Sequence, residues 1–365
     1  MSWNKNRTDT FKGSVPRDYG CSLSNGYKKV NINFKAMILV TGGAGYIGSH
    51  TVKALLKEGR EVVVFDNLEQ GPEDFIRDAT LIVGDIRNSN DLKKLDNYQI
   101  DACLHFAAYA SVGESVKDPS KYFKNNVVGS FNLIDYLNNR GVKKFVLSST
   151  SEVYGEAQYL PIDESHQLNP TNPYGLSKLM VENQLSWFNK AYDFKYTALR
   201  YFNAAGASID GSLGESHNPE YHLIPNAILG ALGKKDFEFT FSKVTTPDGS
   251  PIRDFVHVED LATAHILALR YLEGGGESDC FNLGTGKGYS VLEVASEVEK
   301  VTGVKLPQKF GTARSGEPAE KYASYQKAQK ILGWNPKYGL ADIIQSAYKW
   351  HKKLINLNTT DDQSA

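Results

Sequence analysis

The sequence predicts an α/β protein built on a doubly wound parallel sheet, with a smaller α/β domain beside it. Short apolar runs alternate with helical patterns from Met37 to about residue 200, which is typical of a parallel sheet with helices on both faces. The first run ends in glycines spaced G-x-x-G-x-x-G, directly before a helical pattern. Further along, the elements are less regular and prolines interrupt them, which indicates a smaller domain made from insertions.

The strands of the main sheet are predicted from six apolar runs, at 37–41, 61–65, 80–83, 101–106, 143–148 and 195–201. A seventh run begins at Cys280 and is predicted to return to the same sheet after a helix at 258–272. The two domains therefore interleave in the sequence. The predicted parts are a disordered polar extension at 1–36, a main-sheet domain at 37–203 with 254–285, a second domain at 204–253 with 286–355, and a disordered tail at 356–365.

Residues 1–36 are polar and show no convincing periodicity. They lack the apolar core of a secretion signal. Three interpretations remain: a disordered tail, an organelle-targeting segment, or an upstream start before the true start at Met37. Asp9 and Asp18 argue against targeting because transit peptides are poor in acidic residues. We favour a dispensable tail.

The glycine turn predicts a dinucleotide site of the Rossmann type. Gly42 and Gly45 would let the backbone turn and approach a pyrophosphate, while Gly48 would let the helix pack on the strand. The N–H groups at the helix start would attract the phosphates. Asp66 ends the second strand, where such folds place the acid that binds the adenosine ribose; the alternative is a turn residue beside Asn67. A carboxylate there repels a 2′-phosphate, so NAD is predicted and not NADP.

Hydroxyl, phenol and amine side chains predict the chemistry. The fifth strand ends in hydroxyl residues from Ser148 to Thr150, and Tyr174 and Lys178 lie four apart on one face of a later helix. An ammonium on the next turn, together with the positive nicotinamide ring, would lower the pKa of the phenol from about 10 towards that of a useful base. Alone, a Y-x-x-x-K pair is more often an exposed pair on an amphipathic helix. Together with the glycine turn, Asp66 and the hydroxyl-ended strand, a catalytic pair is favoured.

Four motifs carry a resemblance to a known family. They are Thr41–Thr51, Arg200–Ala207, Thr246–Gly249 and Arg253–Leu261. In these motifs the chain resembles the extended short-chain dehydrogenase/reductases over about residues 37–352, and within that family it is similar to the nucleotide-sugar 4-epimerases. The resemblance implies an NAD that stays bound and is reduced and re-oxidised within one turnover.

The activity implied by the resemblance is inversion of C4 of a UDP-hexose, UDP-glucose or UDP-galactose, through a 4-keto intermediate. Tyr174 would remove the proton from the 4-hydroxyl while hydride leaves C4. Lys178 would orient the nicotinamide ribose and lower the pKa of the phenol, and Thr150 would hydrogen-bond the substrate oxygen. The 4-keto sugar would then turn about its link to the diphosphate, and hydride would return to its opposite face.

The resemblance also implies two sets of binding residues. The implied NAD contacts are Gly42, Gly45, Tyr46, Ile47, Gly48, Asp66, Asn67, Asp85, Ile86, Phe106, Ala107, Ala108, Asn125, Ser148, Tyr174, Lys178 and Phe202. The implied UDP-sugar contacts are Thr150, Tyr174, Asn203, His222, Leu223, Phe241, Arg253, Arg314 and Glu317. The two arginines suit a diphosphate because a guanidinium presents several donors in one plane. Without the resemblance, Arg253 would equally pair with Asp254 or Asp260 on the surface.

Several positions depart from the epimerase pattern. Glu152 stands where the family usually has a small or hydroxyl residue, and its turn is more like that of UDP-glucuronate decarboxylases and nucleotide-sugar dehydratases, which leaves such an activity as the alternative. The dehydratases also carry an Asp where this chain has Ser151. Lys321 lies where epimerases vary a residue near the sugar's 2-substituent, so acceptance of N-acetylated sugars stays open. Ala110 replaces a lysine found in some members, while Asn125 keeps the neighbouring cofactor contact.

Composition argues against several other classes. A net charge of −1 over 365 residues offers no basic field for nucleic acid or an anionic membrane. No apolar run approaches the roughly 18 residues of a membrane span. Cys21, Cys103 and Cys280 are widely spaced, which favours reduced thiols and a cytoplasmic protein. The eight histidines show no metal-ligand spacing, so no metal is predicted. Helices at 126–140 and 176–191 are predicted to pair in a homodimer; the alternative is packing within one chain.

Overall fold

The computed structural model describes residues 37–217, 219–312 and 318–361. The extension predicted at 1–36 and the predicted ligands Arg314 and Glu317 lie outside these ranges, as do the last four residues of the chain.

The described strands, in chain order, are β1 (Met37–Thr41), β2 (Glu61–Asp66), β3 (Thr80–Val83), β4 (Ile100–His105), β5 (Lys144–Ser148), β6 (Lys195–Tyr201), β7 (Asn203–Ala205), β8 (Ile252–Arg253), β9 (Phe255–His257), β10 (Asp279–Leu283), β11 (Tyr289–Ser290) and β12 (Glu320–Lys321).

The α-helices are α1 (Tyr46–Lys57), α2 (Ser89–Leu92), α3 (Val112–Lys117), α4 (Pro119–Tyr122), α5 (Ser130–Asn139), α6 (Pro173–Tyr192), α7 (Leu223–Ala231), α8 (Val258–Glu273), α9 (Val291–Thr302), α10 (Gln326–Leu332) and α11 (Leu340–Asp361). A π-helix at Phe123–Gly129 runs into α5. Among the helices of the described segments, we find none with the length and apolar content that crossing a membrane requires.

A seven-stranded parallel sheet forms the centre, in the order β10–β6–β5–β4–β1–β2–β3. Leu39 of β1 pairs with Val63 of β2 on one side and with Cys103 of β4 on the other. The strand order reverses between β1 and β4, and such a point is where open parallel sheets bind ligands. The predicted doubly wound sheet is confirmed. Its first six strands lie within one residue of the predicted bounds, and β10 returns to the sheet beside β6 as predicted.

Helices cover both faces of the sheet because successive side chains of each strand point to opposite faces. Ile38 and Val40 lie in a core under α1 and α8. Leu39 lies in the opposite core under α5 and α6. All three side chains are fully buried, so each face of β1 is sealed from water.

The first turn of α6 is fixed by its cap. The Asn172 side chain accepts a hydrogen bond from the Gly175 N–H at 2.8 Å, and Pro173 occupies the first helical position. The helix ends at Asp193, whose φ of 53° lies in the left-handed region. The cap therefore sets the position at which Tyr174 enters the helix.

The C-terminal part of the chain forms a third core beside the sheet. Helices α7, α9 and α11 pack together around buried residues such as Ile228 and Ile343. These segments coincide with the predicted second domain, and the division into two interleaved domains stays a prediction. The disordered tail predicted at 356–365 is too long, since α11 continues to Asp361. Its buried Trp350 anchors a helix in which each further residue adds a backbone hydrogen bond.

Candidate active site

The glycine turn between β1 and α1 fits only residues without a side chain. Gly42 has a φ of +70°, and a Cβ there would lie 2.4 Å from the Ala107 N atom. A Cβ on Gly48 would lie 2.2 Å from the Gly42 carbonyl oxygen. No side chain caps the first turn of α1, so its N–H groups are offered to a ligand. This cradle fits the pyrophosphate of a dinucleotide, as the spacing predicted.

Asp66 lies at the carboxyl end of β2 and is held by two backbone groups. Its Oδ2 accepts from the Ala44 N–H at 2.9 Å, and its Oδ1 accepts from the Leu68 N–H at 2.8 Å. The second of these bonds is the turn role considered as the alternative, so Asp66 shapes the turn as well as lining the cleft beside it. Burial raises the pKa of the carboxyl, although the backbone donors oppose this effect.

A small cleft opens at the point where the strand order reverses. The predicted NAD contacts that line it are Gly42, Gly45, Asp66, Asn67, Asp85, Ile86, Phe106, Ala107, Ala108 and Asn125. Tyr46, Ile47 and Gly48 form the adjoining first turn of α1. Phe202 does not line this cleft; it is buried beside Val153 and Tyr154. The Asp85 carboxylate accepts hydrogen bonds from Arg87 Nε at 2.9 and 2.8 Å, so any adenine contact would be shared with that arginine.

Thr150, Tyr174 and Lys178 meet at the end of β5, and we call them the catalytic corner. All three are buried, with exposed fractions of 5%, 7% and 3%. The Lys178 amine donates to the Ser148 carbonyl oxygen at 2.7 Å, while the Ser148 hydroxyl is hydrogen-bonded to the Tyr201 hydroxyl. Burial lowers the pKa of Lys178 to about 7, although Glu182 opposes this effect.

The predicted low pKa of Tyr174 is not found in the protein alone. Burial raises the pKa of this phenol well above its usual range, the nearby Tyr201 adds to the rise, and a hydrogen bond from Thr150 opposes it. The physical reason is that removing a phenolate from water is costly. The Lys178 amine is hydrogen-bonded to a carbonyl group and is itself more easily deprotonated than usual. In the protein alone, Tyr174 is therefore held as the neutral phenol.

Thr150 is oriented by the turn that follows β5. The Glu152 N–H donates to the Thr150 Oγ1 at 3.2 Å, which makes this hydroxyl the cap of the short 3₁₀-helix at Ser151–Val153. Because Oγ1 accepts from the backbone, its own proton is donated to the Tyr174 phenol, whose pKa this hydrogen bond lowers. The role predicted for Thr150 as a donor to a substrate oxygen stays a prediction.

Glu152 and Lys321 form an ion pair that the sequence did not reveal. The Lys321 amine lies 2.7 Å from Glu152 Oε1, and the Asn172 side-chain amide donates to Oε2 at 2.8 Å. Burial raises the pKa of Glu152, but the ion pair and this hydrogen bond lower it overall. Glu152 is therefore held as a carboxylate by its ion pair with Lys321, and the proton-transfer role of the alternative activity stays a prediction. Since Asn172 also caps α6, the pair braces the helix that carries Tyr174.

A second, larger cleft of about 510 Å³ lies between β7, α7 and β8. The predicted UDP-sugar contacts that line it are Asn203, His222, Leu223, Phe241 and Arg253. The Arg253 Nη1 donates to the carbonyl oxygens of Ile252 at 2.9 Å and Pro318 at 2.8 Å. Phe241 packs edge-on against Phe310, with ring centroids 5.8 Å apart. These two residues place a cation and an aromatic face in one cleft.

Sequence reasoning missed several residues that line the clefts. Glu69 and Tyr109 join the small cleft, and Glu215, Glu220 and Tyr221 join the large one. They sit in turns or loops with no motif around them, so only the folded chain brings them to the sites.

The profile of the NAD dependent epimerase/dehydratase family matches residues 38–284. Curated relatives include the UDP-glucose 4-epimerase of Halalkalibacterium halodurans, 49% identical over 87% of this chain and 96% of the relative. The UDP-glucose 4-epimerase of Lactobacillus helveticus is 48% identical over 86% of this chain and 97% of its own length.

Solved structures of UDP-glucose 4-epimerases also superimpose on this chain. The UDP-glucose 4-epimerase of Brucella ovis in complex with NAD superimposes with a TM-score of 0.83 at 43% identity, covering 86% of this chain and 97% of that one. The UDP-glucose 4-epimerase of Bifidobacterium longum in complex with NAD⁺ and UDP gives a TM-score of 0.84 at 36% identity, covering 88% and 99%.

Proposed function

This chain belongs to the NAD dependent epimerase/dehydratase family, and from that premise we infer that it inverts C4 of a UDP-hexose, interconverting UDP-glucose and UDP-galactose. Support comes from UDP-glucose 4-epimerases that share close to half of its residues over most of both chains. NAD is its cofactor, and a UDP-sugar is its substrate, as the ligands named for its structural relatives indicate.

The observation that carries this proposal is the placement of one phenol between two clefts. The Tyr174 ring lies 6.3 Å from the Tyr122 ring, in a cluster with Tyr109, which lines the small cleft. Tyr221, which lines the large cleft, is among the groups that raise the pKa of Tyr174. A proton acceptor in this position serves a sugar held on one side and a nicotinamide held on the other.

Tyr174 and Thr150 of the catalytic corner have different roles in the proton transfer. Tyr174 takes the proton of the sugar 4-hydroxyl and returns it to the 4-keto oxygen after the sugar has turned. Thr150 donates a hydrogen bond to the same oxygen. NAD, when bound, supplies the acceptor and donor of hydride and a positive charge that favours the phenolate. Without that charge, burial keeps Tyr174 protonated, so the base forms only in the assembled site.

The glycine turn and Asp66 hold the dinucleotide, with Lys178 at the nicotinamide ribose. The large cleft holds UDP. We assign the diphosphate to Arg253 and Arg314 and the uracil to Phe241. The remaining proposed contacts are Asn203, His222, Leu223 and, near the uridine ribose, Glu317. Because the nucleotide is gripped and the hexose is not, the sugar turns without leaving.

We also propose a homodimer formed by α5 and α6. Apolar side chains are exposed on these helices: Trp187 by 68%, Phe131 by 44% and Met180 by 41%. Clusters of large apolar residues on a surface mark interaction sites. Light scattering on the purified protein should give the mass of two chains, and Trp187→Glu should shift it towards one. A monomeric wild-type protein would refute the dimer.

The two described cysteines support a cytoplasmic location. Cys103 and Cys280 are both free thiols. Burial raises the pKa of each thiol, so neither is poised to react. Free thiols are typical of proteins in reducing compartments. Localisation of a tagged full chain by microscopy tests this proposal, and a secreted product would contradict it.

The epimerase activity is tested with no added cofactor. The purified protein is incubated with UDP-galactose, and the anomeric proton signals are followed by NMR. We expect UDP-glucose to form to equilibrium without added NAD and without accumulation of NADH. A requirement for stoichiometric NAD, or release of carbon dioxide from UDP-glucuronate in place of epimerisation, would reject the proposal. A panel of N-acetylated UDP-sugars in the same assay defines the substrate range.

A further inference from the structure

Four side chains from one loop converge beside the large cleft. They belong to Glu215, His217, Glu220 and His222, and one ligand atom from each lies within 4.8 Å of the others. We propose that this cluster, here called the 215–222 cluster, binds a divalent transition-metal cation. Because His222 is also a proposed UDP-sugar contact, the cation is tested on the protein without substrate, so failure of this proposal is distinguishable from failure of the epimerase proposal.

The donor atoms already face one another. The Nδ1 atoms of His217 and His222 are both hydrogen-bonded to a single oxygen, Glu215 Oε1, with His217 at 2.9 Å. Glu220 Oε1 lies 4.0 Å from the His217 Nδ1 and 3.8 Å from the His222 Nδ1. A tetrahedral zinc site with ligands at about 2.0–2.2 Å requires ligand atoms roughly 3.4 Å apart. Small side-chain rotations therefore convert the cluster into a coordination shell.

The burial and the charge of the 215–222 cluster both favour a bound cation. The Glu215 and Glu220 side chains are only 3% and 6% exposed, which places two carboxylates close together away from water. A divalent cation would balance both carboxylate charges, with each neutral imidazole coordinating through Nδ1 and carrying its ring proton on Nε2. Mixed imidazole and carboxylate ligands suit zinc and its neighbours, whereas magnesium prefers oxygen ligands alone.

The loop is anchored from outside the cluster, so the ligands are held in place. The indole N–H of Trp350 donates to the Glu215 carbonyl oxygen at 2.8 Å. The Lys235 amine donates to the Glu220 carbonyl oxygen at 3.1 Å. The His217 ring stacks on Tyr221, with centroids 5.0 Å apart. These contacts come from α11, from the segment after α7 and from within the loop.

Equilibrium dialysis of the NAD-loaded protein against Zn²⁺, followed by elemental analysis, tests the site. We expect one zinc per chain in the wild type, and at least about tenfold weaker binding in His217→Ala and Glu220→Gln, since even outer-shell changes weaken metal sites by that factor. Glu238→Gln is the matched control, because Glu238 lines the same cleft but pairs with Lys309. It should bind zinc as the wild type does.

Two further measurements keep the result unambiguous. Retention of NAD by each variant shows that the variant is folded. Glu220→Gln is included because its side chain has nearly the same size as that of the wild type. Co²⁺ in place of Zn²⁺ should give the visible absorption bands of a tetrahedral site in the wild type and in Glu238→Gln only. Equal zinc binding by all four proteins, or none by the wild type, would overturn the proposal.

Discussion

The catalytic corner and the large cleft are built in opposite ways. Tyr174, Thr150 and Lys178 are buried; Lys178 is hydrogen-bonded to the end of β5, and Thr150 to the turn that follows it. The large cleft is lined largely by loops, and His222 in its wall is exposed by 45%. Residues buried beside the central sheet are thus proposed to exchange the proton, whereas a more open, loop-lined wall is proposed to hold the nucleotide.

This contrast suits a reaction in which one part of the substrate moves and another does not. A proton acceptor has to stay within hydrogen-bond distance of the reacting oxygen, so its side chain is locked by packing. A tethered sugar has to turn, so its surroundings must not grip it. Changes in the corner should therefore reduce turnover, and changes in the cleft should reduce affinity.

The largest expected effect is that of Tyr174→Phe. Removing the phenol oxygen removes the proton acceptor, and turnover should fall at least about 10³-fold, the range of general acid–base catalysis. The glycine turn is untouched, so NAD should remain bound. Both are measured on one preparation, by the NMR assay and by the absorbance of released nucleotide. Normal turnover in this variant would remove Tyr174 from the mechanism.

Lys178→Met should lower turnover by about 10²-fold and stabilise the nucleotide-free protein. Burial depresses the pKa of Lys178 from 10.5 to about 7, so the unfolded chain binds this proton more tightly than the folded one. The gain in the free energy of unfolding is therefore complete below pH 7, shrinks as the pH rises, and vanishes above about 10.5. Urea unfolding of both proteins at several pH values measures it. A gain that grew with pH would contradict the assignment.

Arg253→Ala tests whether the large cleft contributes to substrate affinity and not to turnover. A charge-assisted hydrogen bond to the diphosphate contributes about 1.5–3 kcal/mol, so KM for UDP-galactose should rise about 10–100-fold with little change in kcat. Arg87→Ala is the matched control, since Arg87 binds Asp85 at the other cleft and should leave this KM unchanged. A decrease in kcat with no change in KM would instead assign Arg253 a role in the catalytic corner.

Glu152→Gln should have the smallest effect on turnover, because Glu152 acts through its ion pair. It should lower the free energy of unfolding by about 2 kcal/mol, since the buried Lys321 loses its charged partner. Adding Lys321→Met should restore most of the stability, which chemical unfolding of the single and double variants measures. Loss of turnover as severe as in Tyr174→Phe, in both variants, would restore an acid–base role for Glu152.

The sheet and the catalytic corner could be predicted from the sequence because the patterns that indicate them lie within short stretches of the chain. Apolar runs bounded by turns marked the strands, and the four-residue spacing of Tyr174 and Lys178 placed both on one face of α6. The partner of Glu152 was not readable, because Lys321 lies 169 residues further on. The raised pKa of Tyr174 in the protein alone could not be predicted for a related reason: burial depends on every element packed around a residue, and spacing alone does not reveal it.

The last strand of the central sheet, β10, is made long after its neighbour β6. During synthesis the nascent chain therefore carries an unpaired β6 edge until residues 279–283 have left the ribosome. The same strand supplies Asn282, whose side chain accepts from the Tyr154 hydroxyl beneath the β5 turn. More than three quarters of the polypeptide must therefore be synthesised before β6 can pair with β10. Truncated products that end earlier would leave the β6 edge unpaired, and such an edge is prone to aggregation.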